Sequence, residues 1–205
     1  MAISFDCFGT LVDADRPDEP WTAVADRLAE RGVAVPADWE RAYRSTHVSV
    51  DRGAELSLVE HTLAALDSRG VDTDTETVHD ALLAAFDGPV DVRPGAVDAL
   101  NAAATAGPVG ILSNCSLPGL VARTLERADL PAVDTVVTSV GCGWRKPHDR
   151  AFAAIADRLN IPVEELVHVG DDPRTDGGGR TAGATVVLTE DVSLTEFPSW
   201  LEDRE

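Results

Sequence analysis

Five short apolar runs constrain the fold of this chain more than any other feature. They are "AISF" (2–5), "VGILS" (109–113), "VVTS" (136–139), "LVHVG" (166–170) and "ATVVLT" (184–189). Each is continuous or β-branched rather than alternating, the pattern of a strand buried on both faces in a parallel sheet. Helical patterns separate the later ones, at 95–107, 117–130, 148–160 and 173–183. Strands that alternate with helices of this length build right-handed βαβ units, so the sequence predicts an α/β fold with a doubly wound parallel sheet.

Residues 14–91 break that rhythm. They carry helical stretches near 21–32, 37–50, 55–69 and 75–87 and no strand pattern, with breaks at "GVAVP", "DRG" and "RGVDTD". The expected organisation is a core of residues 1–13 and 92–205 with a helical cap of 14–91 inserted after the first strand, and "GPVDVRPG" (88–95) as the return linker. A chain of 205 residues can bury a sizeable interior in this way.

In an open parallel sheet the site lies beyond the carboxyl ends of the strands, where strand order reverses. Those ends carry Asp6, then Ser113 and Asn114, then Gly170, Asp171 and Asp172, with Lys146 a short loop beyond "VVTS". Each has a plainer role open to it. Asp6 could cap the "FGTL" turn, Ser113 and Asn114 the helix that follows, and "GDDPRTD" a helix from Pro173. Gathered in one pocket, however, the acids would repel one another unless a cation neutralised them. Mg²⁺ takes oxygen ligands of this kind, so Asp6 and Asp171 are expected as direct ligands and Asp172 and Asp176 as further ligands or water-holders. An ionised Asp6 at a backbone-lined loop is also a competent nucleophile. Ser113, Lys146 and the N–H groups of Phe8, Gly9 and Thr10 would hold the oxygens of its target.

Charge excludes several partners. The chain has 36 acidic and 17 basic residues, a net charge of -19, which disfavours nucleic acid and anionic membranes and points to a small-molecule substrate. No run approaches the roughly 20 apolar residues that span a bilayer, and "MAISFD" lacks the pattern of a secretory leader, so a cytoplasmic location is expected. Cys7, Cys115 and Cys142 are too few for a disulfide framework. Of the 17 basic residues 16 are arginine, and the single lysine is Lys146. Together with the acid excess, this resembles proteins of salt-loving archaea and marks Lys146 as a residue with a task.

The ordered set "DCFGTLVD", "ILSN", "KP" and "VGDDPRTD" resembles the four motifs of the haloacid dehalogenase-like hydrolase superfamily, and the helical insert resembles its type-1 cap. The resemblance spans the whole core. It implies attack by Asp6 on phosphorus or carbon to give an aspartyl intermediate that water hydrolyses. Ser113 and Lys146 would stabilise developing charge, and the backbone carbonyl of Phe8 would complete the coordination of the metal.

One position departs from the phosphatases of that family, which usually carry a second aspartate two residues after the nucleophile. Here it is Phe8, which neither donates nor takes a proton. General acid–base help is worth roughly 10²–10⁴-fold, so either the leaving group needs no proton or another residue supplies one. The haloacid dehalogenases also place an aromatic there, and expel halide without a metal. Phosphonatase-like members lack the acid too but use a cap lysine, which this chain does not have. Since "GDDPRTD" resembles the metal-binding version of the last motif, the expectation is a Mg²⁺-dependent phosphohydrolase for a small phosphorylated metabolite. A 2-haloacid dehalogenase is the alternative, with Arg41 or Arg44 near the substrate carboxylate, and a retired binding module is a third reading. His47 or a cap acid is a candidate replacement proton donor, and Trp21, Trp39, Tyr43 and Phe86 are candidates for a pocket or for the cap's own core.

Overall fold

The computed structural model describes residues 1–204. In chain order the elements are β1 (Ala2–Phe5), β2 (Val12–Ala14), α1 (Pro20–Glu30), α2 (Trp39–Tyr43), α3 (Leu58–Asp67), α4 (Thr75–Ala85), β3 (Val90–Val92) and α5 (Ala96–Ala106). There follow β4 (Val109–Ser113), α6 (Leu120–Arg127), β5 (Thr135–Thr138), α7 (Ser139–Cys142), α8 (Asp149–Arg158), β6 (Leu166–Gly170), α9 (Gly179–Ala182), β7 (Thr185–Leu188) and α10 (Phe197–Glu202).

Five strands form one sheet in the order β5-β4-β1-β6-β7, every pair parallel. β1, β4 and β6 are buried along their whole length, which is why their sequences show no polar alternation. Helices cover both faces. On one, Ile3, Phe5, Ile111, Val167 and Val169 pack into a cluster with Ala99 and Leu100 of α5 and Phe197 of α10. On the other, Ala2, Leu112 and Leu166 meet Phe152 and Ile155 of α8. Because β1 is central, with β4 and β5 added on one side and β6 and β7 on the other, the crevice falls at its carboxyl end, just beyond which lies Asp6.

The insert is helical as expected, with α1 packed against α4 and α3 between α2 and α4. Three local expectations change. The helix expected over 37–50 is only Trp39–Tyr43, because the His47 ring turns back to the Ala42 carbonyl (2.7 Å) and "STHVSV" favours local side-chain bonding over helix. The helix expected over 173–183 is a 3₁₀ turn at Asp176–Gly178 followed by α9, since three consecutive glycines (177–179) carry a high entropic cost in a helix. Strand β5 ends at Thr138, one residue earlier than expected, and the Thr138 hydroxyl accepts the Gly141 N–H (3.1 Å) to cap α7.

A second, antiparallel sheet was not expected. Its two strands, β2 and β3, are the outgoing and returning connections of the insert, paired Val12↔Val92, Asp13↔Asp91 and Ala14↔Val90. Two facing aspartates would weaken such a ribbon, and Arg93 Nη1 offsets this by binding Asp13 Oδ1 at 3.0 Å. Just before the return strand, Asp87 accepts Arg123 Nη2 of α6 (2.7 Å) and also pairs with Arg127. The insert is thus fastened to the core at its entry and exit.

Candidate active site

The end of each central strand delivers one side chain to a common point, and Lys146 is its hub. Its ammonium donates to Asp6 Oδ1 at 2.8 Å, to the Leu112 carbonyl at 2.8 Å and to Asp176 Oδ1 at 2.5 Å, and its side chain is 1 % exposed. A buried lysine with three acceptors, two of them charged, is fully satisfied. Asn114 fixes the loop that carries it: its carbonyl accepts the Lys146 N–H (2.8 Å) and its amide donates to the Lys146 carbonyl (2.9 Å). Asn114 was expected to bind substrate, and its side chain is instead spent mainly on holding the lysine.

Asp176 is buried behind this pair. Besides Lys146 it accepts the His168 Nε2–H (3.0 Å) at Oδ1 and the Asp172 backbone N–H (3.0 Å) at Oδ2. A carboxylate can only accept here, so Nε2 carries the proton, and the neutral ring accepts the Ser4 hydroxyl at Nδ1 (2.8 Å). Ser4 and His168 face each other across the β1–β6 register. Burial holds the His168 pKa below its ordinary value. Burial also works to raise Asp176, but the His168 hydrogen bond and the Lys146 charge outweigh it and hold the carboxyl well below the usual range. For Lys146 burial is outweighed by Asp6 and Asp176, so its pKa rises and the ammonium stays charged. For Asp6 burial prevails over Lys146, and its pKa is raised.

The third carboxylate comes from the loop after β6. Asp171 Oδ1 accepts the Thr10 hydroxyl at 2.8 Å, and Thr10 is fully buried. Thr10 and Gly9, both expected to bind substrate, therefore serve Asp171. Gly9 has φ +88°, and a Cβ there would lie 2.6 Å from Asp171 Oδ2, so only glycine permits the approach. The Gly9 N–H is spent on the Val12 carbonyl (2.8 Å), which removes it from the expected oxygen-binding donors. At Gly170 a Cβ would fall 2.2 Å from Asp176 Cγ, so the strand end must also be bare for the buried acid to fold beneath it.

Asp6, Asp171 and Asp176 offer ligand oxygens that all lie within 4.8 Å of one another. Asp172 is outside this group. Its Oδ1 accepts Arg174 Nε at 3.1 Å and its Oδ2 Arg174 Nη2 at 3.2 Å, which holds its pKa below the ordinary value. Ser113 is buried and borders the same cavity.

A family model for haloacid dehalogenase-like hydrolase matches residues 1–183. The chain belongs to that family. Among solved structures, a 2-haloacid dehalogenase from Pseudomonas syringae pv. Tomato DC3000 aligns over 100% of both chains with 22% identity and a TM-score of 0.73. A defluorinating L-2-haloacid dehalogenase aligns over 98% of this chain and 94% of its own, with 20% identity and a TM-score of 0.61. CbbY from Rhodobacter sphaeroides, solved with phosphate, aligns over 91% of this chain and 84% of its own, with 22% identity and a TM-score of 0.59. At these identities the likeness is one of fold. No curated protein matches the sequence, and among the described residues no helix is long and apolar enough to cross a membrane.

In this haloacid dehalogenase-like hydrolase the carboxylates open into a cavity of about 280 Å³ bordered by Phe8, Arg16, Ser113, Arg145 and Thr175 besides the acids. A second cavity of about 280 Å³ shares Phe8, Arg16 and Asn114 with it and runs under the insert. Tyr43 and Phe86 line that second cavity, whereas Trp39 is core, its Nε1–H bound to the Trp21 carbonyl (2.9 Å). The insert cations expected near substrate are elsewhere: Arg41 pairs with Asp38, and Arg44 pairs with Glu40 at 2.9 Å.

Four contributors escaped the sequence reading. Ser4 and His168 had a signal, being the polar members of otherwise apolar strands. Arg16 sits in "DADRPDE", which reads as a solvated connection. Arg145 precedes the lysine, and its Nη1 binds Glu55 Oε1 of the insert at 3.2 Å, with Ser139 on the other Glu55 oxygen. Beside that pair the backbone joins Glu55 N–H to the Gly143 carbonyl (2.9 Å) and Arg145 N–H to the Gly53 carbonyl (2.9 Å), so the insert is docked directly onto the lysine loop.

Proposed function

We propose that the chain is a Mg²⁺-dependent phosphohydrolase that acts on a small phosphorylated metabolite through an aspartyl-phosphate at Asp6. The observation that carries this reading is the acid cluster. Three carboxylates have ligand oxygens within 4.8 Å of one another, and the one fixed cation paired with any of them among the described residues is Lys146, which reaches Asp6 and Asp176 and leaves Asp171 without a counter-charge, so the cluster is over-supplied with negative charge. Asp6 and Asp171 each use Oδ1 in a hydrogen bond, while their Oδ2 atoms accept none among the described residues. Two free carboxylate oxygens are hard donors of the kind Mg²⁺ takes, and the Phe8 carbonyl is the proposed third. Both oxygens of Asp176 are already engaged, which fits a carboxylate that positions Lys146 and the Asp172 backbone. Asp172 is bound to Arg174 and is left out of the proposed ligand set.

When bound, the ion supplies Lewis-acid charge to the phosphoryl oxygens. Asp6 then attacks phosphorus through its oxygen, held in line by Lys146. The Lys146 ammonium and the Ser113 hydroxyl meet the charge that develops on the phosphoryl oxygens. Water hydrolyses the resulting acyl phosphate and restores the Asp6 carboxylate.

Phe8 favours a second reading, a 2-haloacid dehalogenase in which Asp6 attacks carbon and halide leaves without a proton. One pair of assays separates the two. Phosphate release from acetyl phosphate, whose leaving group needs no proton, is measured with Mg²⁺ and with chelator, and halide release from 2-chloropropionate is measured alongside, all in molar KCl. Metal-dependent phosphate release supports the phosphohydrolase. Metal-independent halide release overturns it in favour of the dehalogenase, and neither activity favours a binding module.

A further inference from the structure

We propose that the substrate is an aryl phosphate monoester, whose phenolic oxygen departs as an anion beside Arg16 while its ring occupies the apolar cavity under the insert. This rests on the phosphohydrolase reading and narrows it to a substrate class.

Three independent features point the same way. The first is the chemistry of the cavity around Asp6. Its side chains are carboxylates, the hydroxyls of Ser113 and Thr175, the amide of Asn114, the ring of Phe8, and the cations Arg16, Arg145 and Lys146. Asp6 and Asp176 are both bound to Lys146, Asp172 is bound to Arg174, and an arginine does not give up its proton. Phe8, the side chain at the junction with the adjoining cavity, has no proton to give, so the leaving oxygen departs there with its electron pair. A phenol ionises near pH 10, as tyrosine does, roughly six pK units below water. Such an oxygen tolerates that departure, and an alkoxide does not.

The second feature is the adjoining cavity. It joins the first through Phe8, Arg16 and Asn114; Leu58, Phe86, Val90, Leu117, Leu120 and the Tyr43 ring give it an apolar side, and Asp15, Ser116 and Thr124 are its polar members. An apolar cavity of roughly 150 Å³ takes benzene, so about 280 Å³ has room for one substituted ring.

The third is Arg16 itself. Its guanidinium lies 5.1 Å from the Phe8 ring centroid, borders both cavities and makes no ion pair among the described residues. Arg145, at the same cavity, is occupied by Glu55. Arg16 is therefore a free cation at the junction between the reacting phosphoryl group and the ring's compartment, where the leaving oxygen emerges.

The step balances without a proton. An Asp6 oxygen bonds to phosphorus, the phosphorus–aryl oxygen bond breaks with its electron pair on the aryl oxygen, and Arg16, still protonated, hydrogen-bonds the aryl oxide. Water then splits the acyl phosphate, both its hydrogens ending on the phosphate as the carboxylate is regenerated.

The test is a leaving-group series in Mg²⁺ and molar KCl: acetyl, 4-nitrophenyl, phenyl and glycerol phosphates with the native chain, Arg16→Gln and Leu120→Trp. Phenyl phosphate is expected to exceed glycerol phosphate in kcat/KM by roughly 100-fold or more, the span of an absent general acid. An enclosed oxyanion donor is worth roughly 10²–10³-fold. Arg16 is partly solvated, so R16Q should lower kcat/KM for phenyl phosphate by about 10–100-fold and for 4-nitrophenyl phosphate by clearly less, steepening the dependence on leaving-group pKa. L120W, which fills the ring's compartment, should raise KM for phenyl phosphate at least tenfold more than for acetyl phosphate. Glycerol phosphate turned over within tenfold of phenyl phosphate, or an equal effect of R16Q across the series, overturns the aryl assignment while Mg²⁺-dependent acetyl phosphate hydrolysis leaves the phosphohydrolase reading standing. If acetyl phosphate is not hydrolysed, both fall.

Discussion

Replacing Lys146 with Met tests the hub of the site in two directions. The methionine fills about the same volume, so the cost is electrostatic. It removes an ammonium that is 1 % exposed and strands Asp6 and Asp176, whose side chains are 12 % and 1 % exposed. Breaking a buried ion pair by removing one partner costs about 3–5 kcal/mol. Asp176 keeps the His168 N–H and the Asp172 N–H, and Asp6 keeps its opening to the cavity, so the lower end of that range, about 3 kcal/mol, applies. For a chain of this size that is a fall in Tm of roughly 6–12 °C, read by circular dichroism melts in chelator and molar KCl. Salt should not rescue it, because a buried pair is poorly screened. Mg²⁺ should. An ion at 100 times its Kd adds about 2.7 kcal/mol to the folded state, and the variant, richer by one negative charge, should gain at least as much as the native chain. If K146M melts with the native chain in chelator, or Mg²⁺ shifts neither protein, the reasoning about charge excess is refuted.

Three further substitutions and one condition discriminate within the site. Phe8→Asp restores a proton donor next to the nucleophile and should raise kcat/KM for glycerol phosphate by roughly 10²–10⁴-fold, measured by phosphate release; no gain would mean that proton transfer does not limit the reaction. Asp171→Asn should abolish the Mg²⁺-induced rise in Tm while Asp172→Ala retains it, since Asp171 Oδ2 is free and Asp172 is held by Arg174. The opposite order would exchange their roles. With a net charge of -19, the Tm should climb between dilute and molar KCl as self-repulsion is screened, and a flat response would contradict the salt dependence inferred from composition.

The parallel sheet was legible because strands buried on both faces leave uninterrupted apolar runs, and the strand-end rule then turned scattered residues into a pocket. Gly9, Thr10 and Asn114 were found for a partly mistaken reason. Proximity in sequence to Asp6 and Ser113 suggested contact with substrate, whereas side-chain direction makes them braces for Asp171 and Lys146. Asp172 and Asp176 could not be told apart, since which of the two points inward depends on the turn that sends Asp172 N–H to Asp176. The β2–β3 ribbon stayed hidden because three-residue strands such as "VDA" and "VDV" carry almost no periodicity. Ser4 and His168 were visible only as polar residues in apolar runs, and their meaning needed the register that sets them side by side. Arg16 had no local signal at all, its role arising from cavities that form only when the insert closes over the core.

The central claim is that Asp6 carries the phosphoryl group during turnover. The direct measurement is rapid acid quench of the Mg²⁺-loaded protein with acetyl phosphate, proteolysis, and mass analysis of the peptide that contains residues 4–13. The account predicts that this peptide gains the mass of one phosphoryl group, removable by hydroxylamine and absent from Asp6→Asn. Steady turnover with that peptide unmodified, or with the phosphoryl group on any other residue, would contradict it.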